Sequence, residues 1–190
     1  MDYRKDITAY FEREKEIIDQ ISKDDINTLL NLLNKARDEQ HFVFICGNGG
    51  SAATASHYCC DFNKGISNNQ KIKFRFICLN DNIPSMMAYA NDYSWEEIFV
   101  GPLRNLFKEG DYVIGISGSG NSSNVIKALQ YANEHNGTSI GITGYDGGII
   151  KKICQYNVHI PIKDMQISED LHMMLDHCMM NILCKNGENR

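Results

Sequence analysis

Phe42-Val43-Phe44-Ile45-Cys46-Gly47-Asn48-Gly49-Gly50-Ser51 is the stretch on which the fold turns. An apolar run of buried-strand type breaks into glycine and small polar residues, then enters a helical pattern. Glycine lets the backbone come close to a ligand. Helix-start amides and serine hydroxyls can hold an anion there. The same design recurs where Tyr112-Val113-Ile114 leads into Gly115-Ile116-Ser117-Gly118-Ser119-Gly120-Asn121-Ser122. A negatively charged sugar or nucleotide suits such a cradle.

Outward from these loops, the chain alternates. Strand-like runs lie near 42–46, 74–79, 111–116, 138–143 and 156–160. Helical stretches lie near 51–63, 84–90, 95–107, 121–136 and 166–184. This alternation predicts an α/β protein with a doubly wound parallel sheet covered on both faces. Ligands of such sheets sit beyond the carboxyl ends of the strands, where both glycine-serine loops fall. Two amphipathic helices, near 3–21 and 25–38, precede the first strand. The apolar face of the first suits either a partner subunit or the chain's own sheet. Segment 64–73 is polar and reads as a surface loop.

A chain of 190 residues with no linker or low-complexity tract reads as a single domain, 1–190. Its 43% hydrophobic and 23% charged residues allow a sizeable core. The net charge of −5 leaves no basic footprint for nucleic acid. The charged start Met1-Asp2-Tyr3-Arg4-Lys5-Asp6 has no apolar signal core, and no apolar run is long enough for a bilayer. No membrane contact and a cytoplasmic location are therefore expected. Seven scattered cysteines without a C-x-x-C pair argue against a disulfide scaffold or a zinc knuckle and read as reduced, mostly buried thiols.

Neither loop matches G-x-x-x-x-G-K-[ST], and neither has the G-x-G-x-x-G fingerprint with its acidic partner. Capping the helix that follows Ser117–Ser122 needs one hydroxyl, whereas Ser117, Ser119 and Ser122 supply three. His57 and Asp61, at i and i+4, share a helix face and suit either two ligands of one ion or an acid–base pair. A local histidine–aspartate hydrogen bond is the plainer alternative. The last helix carries Glu169, Asp170, His172, Asp176 and His177 among Met and Leu. Asp170, His172 and Asp176 read as a solvated face or as structural hydrogen bonds. Glu169 and His177 are two turns apart, a rise of ~12 Å, which strains any site using both from one chain. H-E-x-x-H and G-x-S-x-G are absent, which excludes zincins of that type and disfavours an α/β-hydrolase.

These pieces together resemble the sugar isomerase (SIS) domain family, in its heptose-phosphate-isomerising branch. The residues that carry the resemblance are Gly47-Asn48-Gly49-Gly50-Ser51-Ala52-Ala53, His57, Asn91-Asp92-Tyr93 and Ser117. Ser119-Gly120-Asn121-Ser122, Asn124-Val125-Ile126-Lys127-Ala128, Thr143-Gly144, Asp146-Gly147-Gly148, His172 and His177 follow in order. The resemblance implies a three-layer, flavodoxin-like, five-stranded parallel sheet and a homotetramer with sites at subunit interfaces, residues 1–40 contributing contacts. It implies that Asn48, Gly49, Gly50, Ser51, Ser117, Gly118, Ser119 and Ser122 bind a sugar phosphate. Asn91, Asp92 and Glu169 would contact the sugar. His57, Asp61, Glu169 and His177 would bind zinc, with Asp61 and His177 as the acid–base pair. The implied reaction is aldose–ketose isomerisation of sedoheptulose 7-phosphate through an enediol. A non-catalytic SIS module that senses a sugar phosphate or scaffolds a partner is the alternative. This chain departs from the family in having Asp61 for Glu, Glu169 for Gln and Gly118 for Thr.

Overall fold

The structure is a computed structural model that describes residues 1–187. The last three residues of the expected single domain lie outside the described residues. Two helices, α1 (Arg4–Gln20) and α2 (Lys23–Asp38), lead into β1 (Val43–Gly47) and α3 (Gly50–Cys60). The chain continues through β2 (Phe76–Cys78), α4 (Ile83–Asp92), α5 (Glu97–Leu106) and β3 (Tyr112–Ser117). It ends with α6 (Ser123–Glu134), β4 (Thr138–Thr143), the single turn α7 (Ile150–Ile153), β5 (Tyr156–His159) and α8 (Met165–Gly187).

The five strands are parallel and ordered β2-β1-β3-β4-β5. This is the flavodoxin-like order, with its switch point between β1 and β3. Register pairs Ile45 with Ile114 and Gly47 with Ile116, so the loops after β1 and β3 leave the sheet side by side.

Side chains alternate across the pleat and feed two cores. Val43, Ile45, Ile114, Ile116, Ile140 and Ile142 pack under α2, α3 and α8, with Leu33, Tyr58, Phe62 and Met179. Phe44, Cys46 and Val113 face α5 and α6, with Phe99, Leu103, Val125 and Leu129. Gly115 brings α6 close to the sheet: a Cβ there would lie 2.6 Å from Val125 Cγ1. A third cluster joins Ile17 and Ile21 at the end of α1 to Ile160, Ile167 and Leu171. The inner face of α1 therefore packs on the chain's own α8, while Ile7 and Phe11 stay exposed. No helix among the described residues is long and apolar enough to cross a membrane.

Segment 64–73 is not the surface loop its polarity suggests. After Cys60, α3 widens into a π-helical turn, Asp61–Ile66, followed by a 3-10 turn, Ser67–Asn69. Ile66, Ser67 and Gln70 are buried there. The Asn63 side chain donates to Phe76 O and accepts from Phe76 N, both at 2.9 Å. This clasp ties the turn to β2, the edge strand. All seven cysteines are free, and Cys46, Cys59 and Cys78 are buried.

Candidate active site

The two glycine-serine loops are clasped together by a reciprocal amide pair. Asn48 Nδ2 donates to Asn124 Oδ1, and Asn124 Nδ2 donates to Asn48 Oδ1, each at 2.9 Å. Asn124 is fully buried at the start of α6, so it holds the first loop against the second. Asn80 anchors the first loop from the other side, donating to Gly47 O at 2.9 Å and accepting from Gly47 N at 3.2 Å. Gly49 has φ +56° and ψ −122°, a conformation for which glycine is suited.

A cleft of about 210 Å³ opens between the loops. Asn48, Ser51, Ser117, Gly118, Ser119 and Ser122 line it, together with Ile116, Met165 and Glu169. Ser122 is the residue before α6, yet its hydroxyl does not cap the helix. It lies 3.0 Å from the Ser117 hydroxyl instead, so both line the cleft. Ser117 Oγ also accepts from Gly120 N at 3.1 Å, and Ser119 Oγ accepts from Asn121 N at 3.2 Å. Because these oxygens accept from backbone amides, the hydroxyls keep O–H groups to donate into a small polar opening, and an anion needs such donors. Gly118 leaves room for Met165, whose sulfur would lie 2.6 Å from a Cβ at that position.

Glu169 projects from α8 onto the first turn of α3. A Cβ on Gly50 would lie 2.3 Å from Glu169 Oε2, so Gly50 permits this approach. A carboxylate is favoured beside a helix N-terminus by the helix dipole.

Further along the same two helices lies a second polar cluster. His57, Asp61, Asp176 and His177 each offer one ligand atom, and these atoms all lie within 4.8 Å of one another. His57 Nε2 is 3.0 Å from His177 Nε2, 3.7 Å from Asp61 Oδ2 and 4.0 Å from Asp176 Oδ2. The two imidazoles meet nearly at right angles, 83° between planes. His57 and His177 are partly open to solvent, whereas Asp61 and Asp176 are buried. Both Asp176 oxygens are enclosed with no hydrogen-bond partner among the described residues. Burial, with the Asp61 charge beside it, pushes the Asp176 carboxyl up to about 7. Two imidazoles and two carboxylates converging around unpartnered buried oxygens fit a divalent cation.

Gly50 meets Glu169, and His57 meets His177. So α3 and α8 run side by side, and seven or eight residues along them separate the cleft end from the cluster end by ~11 Å.

Several expected positions fall together and others do not. His57, Asp61 and His177 converge from three separate turns of helix. Glu169 stands in the cleft, apart from that cluster, because two turns of α8 intervene. Asp176, read from the sequence as part of a solvated or hydrogen-bonded face, occupies the cluster instead. His172 is likewise fully buried, and burial drives its imidazole down to about 4. The signal for both was present: Leu171, Leu175 and Met179 form a buried stripe on α8, and His172 and Asp176 interrupt it. Asn91 and Asp92 are exposed at the end of α4, where Asn91 Nδ2 donates to Asp92 Oδ1 at 2.8 Å, and they do not line the cleft. Asn124 enters the sequence reading only among the residues that carry the resemblance, and nothing in the sequence says that it reaches across to Asn48.

The chain is similar in sequence and fold to known proteins. The sequence profile of the SIS domain family matches residues 3–144. The phosphoheptose isomerase of Aliarcobacter butzleri is 33% identical over 181 residues, covering 95% of this chain and 91% of that protein. That of Helicobacter hepaticus is 36% identical over 148 residues, covering 77% of this chain and 75% of that protein. The solved phosphoheptose isomerase of Neisseria gonorrhoeae superposes with a TM-score of 0.88 at 27% identity, covering 97% of this chain and all of that one. The chain therefore belongs to the SIS domain family, and to the phosphoheptose isomerase type within it.

Proposed function

We propose that this protein is an aldose–ketose isomerase that interconverts sedoheptulose 7-phosphate and D-glycero-D-manno-heptose 7-phosphate. The observation that carries this reading is the pairing of a serine-lined cleft with the His57–Asp61–His177 cluster ~11 Å away along α3 and α8. From the phosphorus of a seven-carbon sugar 7-phosphate to C1 there are eight single bonds of ~1.5 Å, and a staggered chain of them spans roughly 10 Å. A phosphate held in the cleft thus brings C1 and C2 to the cluster.

In this mechanism Ser117, Ser119 and Ser122 hold the phosphate, and Asn48 and Ser51 complete its seat. Asp61 and His177 share the proton transfers. One removes a proton from C1 of the ketose while O2 takes up a proton, giving an enediol. O1 then loses its proton and C2 gains one, giving the aldose, with no net change in protons or electrons. Asn91 and Asp92 are proposed to contact sugar hydroxyls. His57, Asp61 and His177 would hold a zinc ion, which when bound polarises the sugar carbonyl.

The reading includes a single cytoplasmic domain that assembles as a homotetramer. Exposed Ile7, Phe11 and Ile18 on α1, with Ile83 and Met87 on α4, supply apolar surface for such contacts.

The test is turnover. Purified protein with sedoheptulose 7-phosphate is expected to yield the aldose, more so with added zinc. Asp61→Ala and His177→Ala are each expected to lower kcat by ~100-fold or more while the chain stays folded by circular dichroism. Wild-type rates in both variants would refute the assignment. Sugar-phosphate binding without any turnover would favour the sensing module.

A further inference from the structure

We propose that Asp176, rather than Glu169, completes the cation site of this chain, so that two imidazoles and two aspartates of one subunit hold the ion and Glu169 faces the sugar phosphate. This deepens the isomerase reading and rests on it for the use of the ion, though not for its binding.

Three observations converge. The first is burial. The Asp176 side chain is 0% exposed, and neither of its oxygens has a hydrogen-bond partner among the described residues. A carboxylate taken out of water is tolerated when it is paired, coordinates a metal or is neutralised. Among the described residues no lysine or arginine forms an ion pair with Asp176, and His57 faces it at 4.0 Å. Asp61 stands close by with a like charge. A divalent cation neutralises both carboxylates at once and leaves the half-buried site without net charge.

The second is geometry. Ligand atoms around a tetrahedral ion at ~2.05 Å lie about 3.3 Å apart. The His57 Nε2 distances of 3.0, 3.7 and 4.0 Å to His177, Asp61 and Asp176 bracket that value. Asp176 and His177 are successive on α8 and point ~100° apart, so an ion lying between their directions is reached by both. His57 and Asp61, across the junction of α3 with the π-helical turn, close it from the other side.

The third is reach. Asp61 and Asp176 both place a carboxylate oxygen within 4.8 Å of the two imidazoles. Glu169 does not: its carboxylate rests against Gly50, ~12 Å of helix rise from His177.

Metal binding by the full-length protein tests this without reference to turnover. The chain is stripped with a chelator and titrated with zinc in competition with a chromophoric chelator. Cobalt substitution then reports coordination in the visible spectrum. Changes outside the direct ligands of a metal already cost ~10–100-fold in affinity, so Asp176→Asn is expected to weaken zinc at least ~100-fold and to alter the cobalt spectrum. Glu169→Gln is expected to keep wild-type affinity and spectrum. Unchanged affinity in Asp176→Asn, a loss in Glu169→Gln, or a wild-type chain that takes up no zinc would overturn the proposal. If Asp176→Asn does not fold, Asp176→Ser is the second variant, and Glu169→Gln still decides the other half. A zinc site dependent on Asp176 in a chain that does not turn over sedoheptulose 7-phosphate would sink the isomerase reading alone. Turnover with zinc affinity indifferent to Asp176 would sink this inference alone.

Discussion

Two serines at helix starts do opposite things: one caps its helix and the other turns into the proposed phosphate seat. Ser22 caps α2, accepting from Asp25 N at 3.1 Å. Ser122 precedes α6 in the same way but turns its hydroxyl to Ser117. Ser22→Ala should cost ~1 kcal/mol of stability and leave KM unchanged. Ser122→Ala should cost less than ~0.5 kcal/mol, because no cap is lost, and should raise KM for the sugar phosphate several-fold. Urea denaturation and steady-state kinetics on both variants check this crossed pattern.

Among the elements, the π-helical turn after α3 ties Asp61, the proposed acid–base group, to the sheet. It begins at Asp61 and is fastened to β2 by Asn63. The clasp gives the edge strand the two hydrogen bonds that a further strand would otherwise supply. Asn63→Ala leaves those Phe76 groups without their partner and should cost ~1–2 kcal/mol in chemical denaturation. It should also lower kcat, because Asp61 opens the loosened turn and small misplacements of a reacting group are costly. An unchanged kcat alongside the loss of stability would uncouple the turn from the chemistry.

For the molecule as a whole, α8 carries an acid-sensitive core. His172 is depressed from 6.5 to about 4 by burial, so below 6.5 the unfolded chain binds a proton that the folded one refuses. Its contribution to stability is complete above 6.5 and is lost as pH falls towards 4. Asp176, raised to about 7, acts in the opposite sense in the metal-free chain. Comparing wild type with His172→Leu cancels what the two proteins share. Between pH 7 and 4.5 the variant should lose about 2–3 kcal/mol less stability than wild type, read from denaturation midpoints across that range. Equal losses would mean that His172 is protonated without opening the fold.

Period and punctuation were enough to establish the α/β class, the five strands and both glycine-serine loops, because buried strands and loop glycines are local consequences of local residues. The four-residue α7 is too short for any periodicity to reveal, and 64–73 read as a loop because polar composition hides a turn whose few apolar side chains are buried. His57 and Asp61 were legible as a pair since four residues of helix bring them to one face. What those residues meet was decided only in three dimensions. The packing of α8 along α3 brings His177 and Asp176 to His57 and leaves Glu169 at Gly50, while the pairing of β1 with β3 sets Asn124 at the start of α6 beside Asn48. Contacts of that kind depend on the separation and relative rotation of two helices, which no spacing along one chain segment encodes.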